Sequence, residues 1–379
     1  MATMSMPKGP LGNFNRNPAA WWRHLDLLLL GATAGVASLG VIMVYSATKA
    51  TEGTGYLARQ GVFVLIGIAV LGVVTLVDYR RIRDLAPVLY GGGMLLLLAV
   101  LSPAGTAVNG AKSWFALGSF QLQPAEFMKL ATVVLIAAVA SGATSHPLPG
   151  RTTATCLLLA GVPIGLILLQ PDLGSALVFV TAAAAVVFVG GIHSRQLAVL
   201  ALLGAMGAVY LFGYSSVLDD YQRDRLTTFV SADRAGGASF QVRQAETAIG
   251  AGGVTGAGLF QGTQTKLQYV PYQESDFIFT VVGEELGFAG SATLLLLYGV
   301  IAWRVWRAAA VSRDMFGTLV CVGVLAIFLF QVFENMGMAM GIMPVTGIPL
   351  PFLSYGGSST ITMFAAIGLV LNVHTRRFS

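Results

Sequence analysis

The chain has 379 residues, and its 22 Lys and Arg with 17 Asp and Glu make it only 10% charged, against roughly 25% in ordinary soluble domains. Hydrophobic residues reach 55% and the mean hydropathy is +0.76, which excludes disordered and fibrous classes and argues against a cytosolic protein. The net charge of +5 does not point to nucleic acid, because Lys and Arg come in small groups between apolar runs and not on one accessible face.

In chain order, the first 20 residues hold no hydrophobic signal core, and the first apolar run, Leu25 to Ser46, is too long for a cleavable signal peptide. It is expected to be a retained span. Further runs near 57–77, 85–102, 125–142, 153–169, 174–191, 196–213, 277–302, 315–334 and 357–374 predict ten transmembrane helices in one all-α integral membrane domain covering 1–379. Only Gln170, Pro171 and Asp172 separate the fifth and sixth runs. Arg80, Arg81, Arg83, Arg151, Arg195, Arg304, Arg307, Arg376 and Arg377 fall on one side of this arrangement and Lys49, Arg59 and Lys112 on the other. The Lys and Arg bias therefore places the tails, 1–24 and 375–379, in the cytoplasm and a long loop, 214–276, outside. Cys156 and Cys321 lie inside apolar stretches without Cys-x-x-Cys spacing, and the four histidines have no ligand neighbour at helical spacing. No disulfide framework or motif-grade metal site follows.

Four constellations stand out. In the first, Asn109 to Lys129, Pro124 suits the first turn of a helix and sets Glu126 and Lys129 three residues apart on one face, within pairing reach. Such a pair inside a membrane is either a packing salt bridge or a functional site, and Trp114 beside Phe115 is either an interfacial aromatic or part of that site. The second, Gln170 to Ser175, puts Asp172 at a polar break, where it can cap the next helix or face a wet cavity. The third runs from a glycine cluster at 250–258 through Lys266 to Glu274-Ser275-Asp276, then Glu284-Glu285. Its glycines do not satisfy G-x-G-x-x-G, since position 255 is Thr. Asp276 stands at the mouth of a span, where partial desolvation suits a general base, although capping the span is an equal alternative. Glu284 would lie two turns deeper, with Glu285 facing away from Asp276. The fourth, Pro344 to Thr360, opens the last span with Ser354, Tyr355, Gly356, Gly357 and Ser358. Small residues at such a helix start offer amides and hydroxyls to an anion, or allow close helix packing.

The segments QLQPAEFMKLA, QPDLGSA, ESDFIFTVVGEELGF and PLPFLSYGGSS resemble the SEDS family of bacterial cell-wall proteins, the group of RodA, FtsW and SpoVE, over nearly the whole chain. The stretch Gly262 to Leu267 is more similar to the RodA branch. The resemblance implies ten spans with both termini inside, and a peptidoglycan glycosyltransferase that polymerises lipid II on the outer face of the cytoplasmic membrane during elongation. Its implied partners are undecaprenyl-pyrophosphate-linked glycan, a class B penicillin-binding protein acting as transpeptidase, and elongation-complex membrane proteins. The family's essential external aspartate matches Asp276, its paired Glu and Lys match Glu126 and Lys129, and its polar-break aspartate matches Asp172. Where the family commonly has Thr before the external aspartate, this chain has Ser275. Base catalysis by Asp276 would need a counterpart to hold charge on the leaving pyrophosphate, for which the outer basic residues and the 354–360 helix start are candidates. No cofactor is demanded by the motifs, although a divalent cation, Mg or Mn, bridging pyrophosphate and a carboxylate is compatible with them. A lipid II flippase, a division-type polymerase and a scaffold are the rival readings, and the absence of a repeat disfavours a transporter.

Overall fold

The computed structural model describes residues 24–108, 111–118, 120–143, 145, 147–213 and 237–378. In chain order the elements are α1 Leu27–Glu52, α2 Gly55–Leu76, α3 Tyr79–Leu101, strands β1 Thr106–Val108, β2 Ala111–Leu117 and β3 Phe120–Leu122, then α4 Pro124–Ser141, α5 Gly150–Leu168, α6 Leu173–Val189 and α7 Ser194–Gly213. There follow α8 Gly237–Ala251, α9 Thr263–Leu267, α10 Ile278–Ala310, α11 Met315–Ala339 and α12 Gly357–Thr375. Each of the ten predicted apolar runs is helical. Among the described residues, eight helices are long and apolar enough to cross a membrane, and the remaining two runs form α6, of 17 residues, and α7, of 20. The expected tail 1–24, apart from residue 24, the loop portion 214–236 and Ser379 lie outside the described residues.

Aspartates set where several helices begin. Asp26, Asp78, Asp172 and Asp314 each accept a hydrogen bond from an amide two or three residues on, at 2.8 to 3.0 Å, satisfying a donor that the first turn leaves without a helical partner. Three of these caps are tied to neighbouring helices. The Arg304 guanidinium donates to Asp26 at 2.6 Å, the Tyr79 hydroxyl donates to Asp314 at 2.6 Å, and Arg376 lies 3.8 Å from Asp78. The opposite end of the bundle carries the strands, α8 and α9.

Helices approach closely where glycine removes a side chain. A Cβ at Gly67 would meet the Phe364 ring at 2.3 Å, and one at Gly368 would meet the Leu71 carbonyl at 2.9 Å, so α2 and α12 pack through small residues as membrane helices do. Asn372 and Arg376 then donate to the last carbonyls of α2, at Val74, Thr75 and Leu76 among others.

Two features were not anticipated from sequence. The segment between α3 and α4 is a three-stranded antiparallel sheet in the order β1-β2-β3, its second turn made at Gly118 with φ +64°, a conformation glycine adopts without strain. The longest helix, α10, is interrupted at Gly287, with φ 63° and ψ −161°. Residues 288–310 alone give roughly 34 Å of helix, enough for the hydrocarbon core, and carry exposed Phe288, Leu295, Leu296 and Trp303. Residues 278–285 are buried on every side. The glycine cluster inserts at the break, where Ala257 and Gly258 amides donate to the carbonyls of Glu284 and Glu285, and Phe288 and Ala289 amides donate to those of Gly253 and Val254. Irregular backbone persists at such a position because protein partners replace the missing helical bonds. The glycines serve close packing, since a Cβ at Gly252 would fall 1.9 Å from the Gly283 carbonyl.

Candidate functional site

One cavity of about 1010 Å³ collects residues from all four constellations. Its wall includes Trp114 from β2, Glu126 and Lys129 from α4, Asp172 at the start of α6, Glu274, Ser275 and Asp276 before α10, and Tyr355, Gly356, Gly357 and Ser358 at the start of α12. Lys266, Glu284 and Ser354 are not part of this wall.

The ion pair forms as the spacing predicts. The Lys129 ammonium donates to Glu126 Oε1 at 2.7 Å, with 3% and 2% of the two side chains exposed, while Oε2 of Glu126 has no hydrogen-bond partner among the described residues. Pro124 occupies the first turn, where its missing N–H costs nothing. Asp172 does both things open to it, because it caps α6 through Ser175 and lines the cavity. Its Oδ2 also accepts from the Ser175 hydroxyl at 2.8 Å and from Gln123 Nε2 at 3.0 Å. The main-chain amide of Gln123 in turn donates to Ser358 Oγ at 2.9 Å. Thus Asp172, Gln123 and Ser358 join the polar break, the foot of α4 and the foot of α12.

Asp276 is half-buried at the cavity edge. The N-cap of α10 is Phe277, one residue beyond Asp276, which itself lines the cavity. The loop bearing it is held by its main chain: the Tyr355 amide donates to the Glu274 carbonyl at 2.8 Å, the Ser354 hydroxyl to that of Ser275, and Asn335 Nδ2 to that of Asp276 at 2.7 Å. Ser354, whose side chain also accepts from the Leu350 amide at 2.8 Å, therefore supports the site from behind.

Glu284 and Glu285 organise the external loop. Glu284 accepts from the amides of Gln264 and Thr265, at 2.7 and 2.9 Å, and from the Thr265 hydroxyl at 2.7 Å, capping the short helix α9 that carries Lys266. Glu285, facing elsewhere as expected, accepts from the Ser46 hydroxyl at 2.6 Å and the Phe260 amide at 3.1 Å. Both are satisfied without reaching the cavity, which is how two buried carboxylates are tolerated.

Sequence reasoning missed Tyr56, Gln273 and Asn335, and named Arg59 only as one of the outer basic residues. Arg59 and Lys129 are the cations among the lining residues, against the four carboxylates Glu126, Asp172, Glu274 and Asp276. Tyr56 packs on Tyr355 with ring centroids 4.5 Å apart and lies 5.7 Å below the Arg59 guanidinium. Buried Gln273 donates to the carbonyls of Ala47 and Thr265 at 2.8 and 2.9 Å. An Arg at the head of an apolar run was the available signal for Arg59. Asn335 and Gln273 had none, because their partners are main-chain carbonyls on other elements.

The cavity combines a carboxylate on a firmly held loop, a buried ion pair and a helix start without a side-chain cap, whose residues Gly356 to Ser359 line the same space. Such a set can take a proton from a hydroxyl and stabilise charge on a departing anion. Among the described residues no three His, Cys, Asp or Glu side chains are grouped to hold a metal ion.

Comparison with known proteins gives concordant matches. The model of a cell cycle protein family, FtsW/RodA/SpoVE, matches residues 26–378. The peptidoglycan glycosyltransferase MrdB of Escherichia coli K12 is 32% identical over 366 residues, covering 96% of this chain and 97% of the relative. Among solved structures, the rod shape determining protein RodA of Thermus thermophilus superposes with a TM-score of 0.71 at 33% identity, covering 94% of this chain and 99% of that one. A chain from a structure described as the structural coordination of polymerization and crosslinking by a peptidoglycan synthase complex gives a TM-score of 0.80 at 34% identity, with the same coverage.

Proposed function

The chain belongs to the FtsW/RodA/SpoVE family of cell cycle proteins, and on that premise we propose that its cavity polymerises lipid II into glycan strands. The protein is a multi-pass protein of the cytoplasmic membrane and a peptidoglycan glycosyltransferase. The observation that carries the reading is the meeting of Asp276, the Glu126–Lys129 pair and the start of α12 around one cavity.

In the proposed reaction Asp276 accepts the proton of the acceptor's 4-hydroxyl as that oxygen bonds to the anomeric carbon of the donor sugar. The bond from that carbon to undecaprenyl pyrophosphate breaks, and the leaving pyrophosphate keeps the electron pair. Arg59, Lys129 and the first-turn amides of α12 offset the charge it gains. Mg or Mn bound with the pyrophosphate would add to that stabilisation, with Asp172, Glu274 and Asp276 among the carboxylates that line the cavity. Elongation is the proposed setting, supported by the rod-shape relative and the Gly262–Leu267 stretch. A class B penicillin-binding protein and elongation-complex membrane proteins are the proposed partners, supported by the likeness to a chain of a peptidoglycan synthase complex. Both tails are placed in the cytoplasm and the 214–276 loop outside, from the Lys and Arg bias.

The test uses purified protein with lipid II. Asp276→Asn keeps the size and one oxygen but cannot take the proton, so glycan polymer formation is expected to fall by a factor on the order of at least 100, with membrane insertion and lipid II binding retained. Near-normal polymerisation by Asp276→Asn would remove the general-base role, and scrambling of lipid II across liposomes without polymer would favour a flippase.

A further inference from the structure

Three successive carbonyls precede α10, those of Glu274, Ser275 and Asp276, and each accepts a hydrogen bond from a residue far away in sequence. Two donors, the Tyr355 amide and the Ser354 hydroxyl, come from one adjoining segment. The third, Asn335, comes from α11 and has 0% of its surface exposed. Its amide nitrogen has two hydrogens and spends both on main chain, one on Asp276 at 2.7 Å and one on Ile348 at 2.8 Å. Oδ1 of the same side chain has no partner among the described residues, so its two donated bonds alone fix the amide's orientation. Asn335 thus ties the backbone of Asp276 to the segment that leads into Ser354 and α12, across two walls of the cavity. Asp276 lies outside regular helix in a run of turns, where its amide donates to the Tyr272 carbonyl at 3.1 Å and Asn335 adds a tie to its carbonyl from a separate helix.

We propose that Asn335 is a positioning residue for the reaction, fixing the Asp276 carboxylate relative to the start of α12 by bridging the carbonyls of Asp276 and Ile348. The proposal rests on the reading of Asp276 as the general base. A misplacement of about 1 Å can cost roughly 100-fold in rate, while substrate binding, spread over the rest of the cavity, is unaffected.

Asn335→Ala and Asn335→Ser, purified and assayed with lipid II, test it. The two side chains differ little in size, but serine keeps one donor. Asn335→Ala is expected to lower kcat by about 10- to 100-fold with KM unchanged, and Asn335→Ser to recover part of the loss. Amide hydrogen exchange should quicken across 274–278 and stay unchanged in the middle of α11. In an Asp276→Asn background Asn335→Ala should bring no further loss, because a positioning residue acts through the group it positions. Wild-type kcat in either Asn335 variant, a loss confined to KM, or an equal fold-loss in the Asp276→Asn background would overturn the proposal. If Asn335→Ala does not accumulate in the membrane, Asn335→Ser alone decides through its kcat and exchange. An active Asp276→Asn enzyme sinks the base assignment and this proposal together, whereas an inactive one beside a fully active Asn335→Ala sinks only the latter.

Discussion

Lys129 and Glu126 are each unfavourable in a bundle interior, and their 2.7 Å contact makes each tolerable to the other. Glu126→Gln or Lys129→Met leaves a single buried charge, at a cost of up to roughly 3–5 kcal/mol and less to the extent that cavity water reaches it. Each is expected to reduce folded protein in the membrane and to lower the thermal midpoint in detergent, and the charge-swapped double variant should regain part of the loss. Full accumulation of both single variants without activity would instead make the pair a substrate contact. Because an i, i+3 spacing behind a helix-starting proline is a local relation, this pair was legible in the sequence. The double role of Asp172 was half legible: the cap follows from Ser175 three residues on, whereas its bond from Gln123 depends on α4 and α6 meeting. Gln273 and Asn335 stayed hidden for that same reason, their roles being set by main-chain acceptors on other elements that carry no sequence signature.

At the scale of elements, the break in α10 is the least regular feature and one of the most constrained. Gly287 has a φ of 63°, and a Cβ there would lie 2.3 Å from the Gly256 amide nitrogen and 2.8 Å from the Val254 carbonyl. Gly287→Ala therefore adds backbone strain of about 1–3 kcal/mol and pushes the inserted glycine cluster out. The expected result is a lower thermal midpoint together with faster proteolysis between residues 252 and 262; an unchanged digestion pattern would show that the cluster does not depend on the break. Glu284→Gln replaces one acceptor oxygen by a donor among three donors, at roughly 1.5–3 kcal/mol for hydrogen bonds to a charged group. Its polymerisation rate should fall far less than that of Asp276→Asn, since Glu284 shapes the loop and does not line the cavity. A loss as deep as that of Asp276→Asn would place Glu284 in the reaction. Hydropathy made the ten helical runs visible, but a helix break needs donors from a loop some 30 residues earlier, and periodicity carries no trace of such a partner. The three-stranded sheet was missed because β1 and β3 have three residues each, too few for an alternating pattern to register.

For the whole molecule, contacts sort the chain into two ends, and charge assigns each end to a side of the membrane. One end holds the capped starts of α1, α3 and α11 with Arg80, Arg304 and Arg376 gathered about them; the other holds the sheet, α8, α9 and the cavity. Positive residues are retained on the cytoplasmic side during insertion, so the proposed orientation puts the capped end in the cytoplasm and opens the cavity outward, where lipid II must be met if glycan is built outside the cell. The two native cysteines are buried and can be removed to give a silent background. Thr54→Cys and Ile342→Cys stand at exposed positions of the cavity end, and His193→Cys and Ala310→Cys at exposed positions of the capped end. An impermeant maleimide applied to intact spheroplasts should label the first two and reach the second two only after permeabilisation. Labelling of Ala310→Cys in sealed spheroplasts would turn the molecule over, put Asp276 on the cytoplasmic side and leave polymerisation at the outer face without its base.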